Sequence, residues 1–163
     1  MTSQLAQINT VSGIQTLNDT MKSMATQIAA LQSLQGSATI GREVLTEGSG
    51  LSVTDGVGQG AFDLSGAADA VKVEVRTAGG TLLGAVDMGA LGSGRQAFAW
   101  DASAYTHSGD LDFKVTATQN GTAVTTTALE RNKVVSVSNE NNALHLQLQN
   151  GASVAYSAVK AIL

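Results

Sequence analysis

Val71-Lys72-Val73-Glu74-Val75-Arg76 alternates apolar and charged side chains with a period of two. That is the pattern of a strand with one face buried and one wet. Phe98 and Trp100 alternate around Ala99, and Phe113, Val115 and Ala117 alternate with Lys114 and Thr116. Asn120-Gly121 follows between Thr- and Val-rich flanks, a two-residue hairpin signal because both central positions need positive φ. It places Ala117 opposite Val124. Ala78-Gly79-Gly80 and Leu91-Gly92-Ser93-Gly94 supply further turns, and Ser108-Gly109-Asp110 starts the strand through Phe113. Ala70 to Ala128 thus reads as a small antiparallel sandwich, with Phe98, Trp100, Phe113 and Val115 as its core. Trp100 is expected to anchor that core between the sheets rather than stack on a ligand.

Upstream, residues 5–35 read as one helix. Ile14, Leu17, Met21, Met24, Ile28, Leu31 and Gln35 step by three and four, the a/d seam of a heptad. Leu5, Ile8 and Val11 extend the apolar face with a slightly different stagger, and Leu34 broadens it. Gly13 is expected to fray or kink the first third, and Gly36 to end the helix. The stripe either packs on the chain's own β structure or pairs with copies of itself or another protein. Its narrowness and its Gln, Asn, Thr and Ser flanks favour self-association.

Between Ala38 and Val53 a β segment carries Ile40, Val44, Leu45, Leu51 and Val53. Gly48, Gly50, Gly56, Gly58 and Gly60 then read as a flexible junction and turn region. After the sandwich, Val135 and Val137 alternate, Asn139–Asn142 forms a turn, and Leu144, Leu146 and Leu148 alternate with His145, Gln147 and Gln149. A three-residue loop with Gly151 in the left-handed position sets Leu146 opposite Val154 and Leu144 opposite Tyr156. Val159, Ile162 and Leu163 make a last short strand. Residues 38–57 and 130–163 are each too short to bury a core alone, and together they complete one small barrel with the sandwich inserted between them.

Parts for catalysis are scarce. The 163 residues include no Cys, which removes disulfides, thiolate metal sites and a cysteine nucleophile. His107 and His145 are isolated, and His145 falls on the polar face of its strand. No phosphate loop, dinucleotide fingerprint or nucleophile elbow occurs. Asp101, Asp110 and Asp112 fit no EF-hand spacing, and Asp101 is expected to cap its own turn instead. With 13% charged residues and a net charge of −4, no basic patch exists to neutralise phosphates, so nucleic acid and anionic lipid are not expected partners. No apolar run reaches transmembrane length, and the start lacks a Sec-type signal. No enzyme activity, cofactor, metal or small-molecule substrate is expected.

Thr2-Ser3-Gln4-Leu5-Ala6-Gln7, Val11-Ser12-Gly13-Ile14 and Leu17-Asn18 resemble the helix of the bacterial flagellar hook-capping proteins, also called basal-body rod modification proteins. Phe98-Ala99-Trp100-Asp101, the Gly109–Ala117 strand and Leu144-His145-Leu146…Gly151…Val154 resemble the same family's C-terminal region. The match spans essentially the whole chain, and its N-terminal block is the most specific part. The resemblance implies a mainly β fold, a Tudor-like small barrel interrupted by a fibronectin-III or Ig-like sandwich. The helix would occupy residues 1–36, the discontinuous barrel 37–57 and 130–163, and the sandwich 58–129. Two departures stand out. The family carries a longer segment upstream of Met1, and Ala102 and Leu111 replace its Gly and aromatic residue. The implied role is a scaffold, exported through the flagellar apparatus to the distal tip of the nascent hook, that promotes polymerisation of hook subunits. Homo-oligomerisation is expected, with Leu5, Ile8, Ile14, Leu17, Met21, Met24, Ile28 and Leu31 as contact residues. The alternative is a secreted Ig-like module binding a carbohydrate or peptide, for which Trp100, Tyr105 and Tyr156 are nearly all the available stacking surface.

Overall fold

The computed structural model describes residues 2–105, 109–140 and 143–163. His107, and parts of the turns expected at Ser108–Asp110 and Asn139–Asn142, lie outside them. One helix, α1 (Thr2–Ser37), precedes a run of strands. Gly13 does not interrupt it. One glycine costs roughly 1 kcal/mol, which the i→i−4 ladder around it absorbs. The strands are β1 (Glu43–Glu47), β2 (Gly50–Thr54), β3 (Val57–Leu64), β4 (Ala68–Thr77), β5 (Leu82–Leu91) and β6 (Gly94–Asp101). They continue with β7 (Leu111–Gln119), β8 (Thr122–Val124), β9 (Thr126–Glu140), β10 (Ala143–Leu148), β11 (Ser153–Ala155) and β12 (Ala161–Ile162).

The largest core lies between β2-β7-β4-β5 on one side and β3-β6 with the start of β9 on the other. Val71, Val73 and Val75 point into it from β4, while Lys72 and Glu74 face out, as the alternation requires. Phe98, Phe113 and Val115 are buried there, with Phe98 and Phe113 centroids 4.9 Å apart. Trp100 is only half-buried. It packs against this core from the edge, over Gly84 and Gly58, rather than anchoring its centre.

The Asn120-Gly121 hairpin forms as its residues dictate. Asn120 has φ 50° and Gly121 φ 79°, and Ala117 pairs with Val124. The glycines from 48 to 60 are a different matter. Asp55 (φ 53°) and Gly56 (φ 77°) turn a second hairpin, between β2 and β3, so the stretch expected as a flexible junction and turn region is an ordered turn. Gly58 is a strand residue kept bare by Leu51 and Trp100, and Gly60 by the Phe98 ring. A Cβ on Gly60 would meet Phe98 Cε1 at 2.7 Å. Leu51 and β2 therefore join the larger core, and the chain crosses over at 48–49, ahead of the expected boundary near residue 57.

A second core gathers Val44, Val134, Leu146 and Leu148, with Val154, Val159 and Ile162 against it. Its strands are β12-β1-β9-β10-β11, so residues far apart in sequence pair directly: Val44 with Asn132, and Val44 with Ile162. Leu146 pairs with Val154, and Gly151 has φ 88°, as the apolar pattern selects. Tyr156 does not pair with Leu144, because the chain turns into a 3-10 segment at Tyr156–Ala158. Nor do Val135 and Val137 share the core. A register shift beside Leu148 puts Val134 and Val137 inward and leaves Val135 48% exposed. Strand β9 reaches both cores, packing Ala128 against the larger and contributing Val134 to the smaller, while Leu129 joins Leu45 and Ala61 in a third cluster.

Candidate functional site: the exposed helix and its seat

The body-facing side of α1 is made of small residues. Ala29 and Ser33 are half-buried, and Gly36 is buried. A Cβ on Gly36 would meet Leu144 Cδ2 at 2.7 Å, so this glycine lets the last turn sit on β10. Ser37 Oγ donates to the Leu34 carbonyl, and Thr39 donates to the Gly36 carbonyl from both N and Oγ1. Gly41 N donates to Val134 O at 2.8 Å and Val134 N to Arg42 O at 2.9 Å, stitching the exit to β9. This seat was not read from sequence, although small residues at 29, 33 and 36 are its signal.

The rest of α1 stands clear of the β structure. Ile14, Leu17, Met21, Met24, Ile28 and Leu31 are each 53–67% exposed, so the stripe does not pack on its own chain. Leu5, Ile8 and Val11 are equally open at 55–63%. Because the helix runs unbroken through Gly13, its 100° step carries from one end to the other. The first group then points about 170° away from the mean direction of the second. The row winds by about 60° at each i,i+3 step, so the first group curls away from the seam while staying joined to it through Val11 and Ile14.

Away from this seat, polar side chains hold the β structure together. Glu130 takes Gly50 N at 3.3 Å and Asn132 Nδ2 at 2.9 Å, with Asn150 Nδ2 at 3.5 Å, so it clasps the 48–50 crossover. Open grooves of about 660 and 710 Å³ flank it, both lined by Asn132, Gln149 and Asn150. Arg131 donates to Glu43 Oε2 and Gln59 Oε1. Arg95 holds both oxygens of Asp63 at 2.9 Å and donates to Lys160 O at 3.0 Å. That guanidinium keeps the Asp63 carboxyl below the usual carboxylate range, while Asp63 raises Arg95. Arg76 lowers Glu74 in the same way.

Asp101 is lowered by Ser103, whose N–H donates to it at 2.9 Å in the expected turn. Among the described residues no group of three His, Cys, Asp or Glu side chains is placed to hold a metal. His145 is half-buried on β10 opposite Ala155 and Ser138. Trp100 and Tyr105 lie 6.3 Å apart at the edge of the larger core, whereas Tyr156 sits at the helix seat beside Gln32 and Leu144. The three rings make no common platform.

A family model described as the FlgD Tudor-like domain matches residues 31–160. The basal-body rod modification protein FlgD of Escherichia coli K12 is 32% identical over 175 aligned positions, covering 100% of this chain and 76% of that protein. The chain belongs to the FlgD family. FlgD of Salmonella typhimurium is 29% identical, with 75% of its length covered. Among solved structures, FlgD from Xanthomonas campestris overlays with a TM-score of 0.66 at 23% identity, covering 81% of this chain and 99% of that one. FlgD from P. aeruginosa gives 0.63 at 24% identity, covering 77% and 98%. These overlays show the FlgD fold: mainly β, a curled sheet, one N-terminal helix. The Xanthomonas structure is described in terms of hook capping essential for flagellar assembly.

Proposed function

We propose that this chain is a non-enzymatic scaffold of flagellar hook assembly, exported to the tip of the nascent hook, where it promotes addition of hook subunits. The observation that carries the reading is the seam of α1, from Ile14 to Leu31, presented to solvent on a helix whose base is fixed to the β structure. An exposed apolar stripe of this size marks a protein contact, and its heptad spacing suits a helix as the contacting surface. The seam is assigned to contact between copies in the cap. The β structure, with its Thr-, Ser-, Asn- and Gln-rich exterior, faces incoming hook subunits, since polar contacts without large apolar patches break and re-form at each step.

Within this reading the larger core belongs to a fibronectin-III or Ig-like sandwich, inserted into a Tudor-like barrel built around the smaller one. Deletion of the gene in its own bacterium tests the function. Basal bodies without hooks, restored to full hooks by the intact gene, are expected; hooks of normal number and length in the deletion strain would remove the reading.

A further inference from the structure

Two long strands, β5 and β6, each pair on one side alone among the described residues. The ladder of β5 on β4 breaks register three times, and such irregularities blunt an edge. Strand β6 has no such protection. It pairs with β3 in unbroken register from Gly94 to Asp101 and contains neither Pro nor Lys. Ala102 N donates to Gly56 O at 2.8 Å, which continues that ladder by one pair and fixes its phase. Gln96, Phe98 and Trp100 therefore exchange hydrogen bonds with β3, and the N–H and C=O groups of Ala97 and Ala99 point outward. This edge also borders an incompletely covered part of the larger core. Leu83, Val86 and Met88 of β5 and Trp100 of β6 are half-buried, whereas Val71, Val73 and Val75 of β4 are at most 1% exposed.

We infer that the outer edge of β6 takes up an extended segment of a hook subunit as an added strand, uncharged and with apolar side chains at alternate positions. A row of outward N–H and C=O groups is matched in full only by another extended backbone. Residues of the segment opposite Phe98 and Trp100 point toward the core, and apolar side chains there extend the cover over Trp100. Between Arg95, which is held by Asp63, and Asp101, the edge carries no charge, so a charged segment gains nothing from it. The inference rests on the scaffold reading for the identity of the donor; the accepting edge is read from this chain alone.

The test is amide hydrogen exchange of the full-length chain, alone and with purified monomeric hook subunit of the same bacterium, together with binding of that subunit to Ala99→Pro. Exchange at Ala97 and Ala99 is expected to slow when the subunit is added, while Phe98, already bonded to β3, changes little. Ala99→Pro removes an outward N–H that β3 does not use, so the strand should stay in place. Trp100 emission and slow exchange at Phe98 report whether it does. This variant is expected to bind the subunit about tenfold more weakly, the equivalent of a lost hydrogen bond, and Ala99→Ser to bind as the unaltered chain does. Unchanged exchange at Ala97 and Ala99, or equal binding by a folded Ala99→Pro, overturns the added strand. Normal hooks in the deletion strain would instead remove the scaffold reading, so the two failures are told apart.

Discussion

Arg95 and Asp63 face each other across β6 and β3, and their side chains close a two-pronged ion pair with both N···O distances at 2.9 Å. The same guanidinium reaches Lys160 O, next to the pairing of β12 with β1. One side chain therefore ties the edge of the larger core to the closing strand of the smaller. Asp63 has a folded pKa below its ordinary 3.8, so the pair contributes stability above that value and loses it as pH falls through the folded pKa. The groups are about a third exposed, and solvent screening limits the pair to about 1 kcal/mol or less. Asp63→Asn is expected to lower the urea midpoint slightly at pH 7 and to converge with the unaltered chain in strong acid. An equal difference at both pH values would contradict the assignment.

Gly60 should not tolerate a side chain. Its Cβ would lie 2.7 Å from Phe98 Cε1 and 3.3 Å from Phe113 Cε1, two rings already packed against each other. Gly60→Val is expected to cost about 1–3 kcal/mol in a denaturant titration, the usual range for overpacking. Gly66, where nothing lies within 4 Å of a Cβ, is the control and should accept Ala with little change.

Glu130 takes hydrogen bonds from Gly50 N and Asn132 Nδ2, so its removal leaves donors at the crossover without that acceptor. Glu130→Ala is expected to cost about 1–3 kcal/mol. It should also speed amide exchange at Gly50 more than at Val73 in the centre of β4. Uniform acceleration at both sites would mean that Glu130 acts on global stability alone.

Trp100 reports on the edge of the larger core. A Cβ on Gly84 would come within 2.6 Å of Trp100 Nε1, so Gly84→Ala should displace the indole and shift its emission to longer wavelength. In the unaltered chain the half-buried indole is expected to show partial quenching by acrylamide. Quenching as complete as that of free tryptophan would detach it from the core and revive a ligand-stacking role.

Much of the architecture is legible in local chemistry. Asn120-Gly121 and Gly151 each dictate a backbone conformation, and the Leu144-Leu146-Leu148 alternation then chooses the register. What escapes a local reading depends on partners distant in sequence. Thr54-Asp55-Gly56-Val57 carries the same two-residue turn signal as Asn120-Gly121, but the surrounding glycines mask it. The Phe98 ring, far downstream, explains why Gly60 is bare, and Leu51 together with Trp100 explains Gly58. Val134 replaces Val135 in the core because Val135 is an extra residue on β9 opposite the Gln147–Leu148 step of β10, and the alternation of β9 does not announce it. On α1 the heptad from Ile14 onward is plain. The winding of Leu5, Ile8 and Val11 away from the seam emerges only once the helix is seen to continue through Gly13.

The central claim is that the protein works by touching its neighbours through the α1 seam. The most direct measurement is electron microscopy of basal bodies from the deletion strain carrying Leu17→Glu/Met24→Glu. Both positions are well exposed, so the β structure should fold and the protein accumulate normally. The account predicts basal bodies without hooks. Hooks of normal length and number would contradict it.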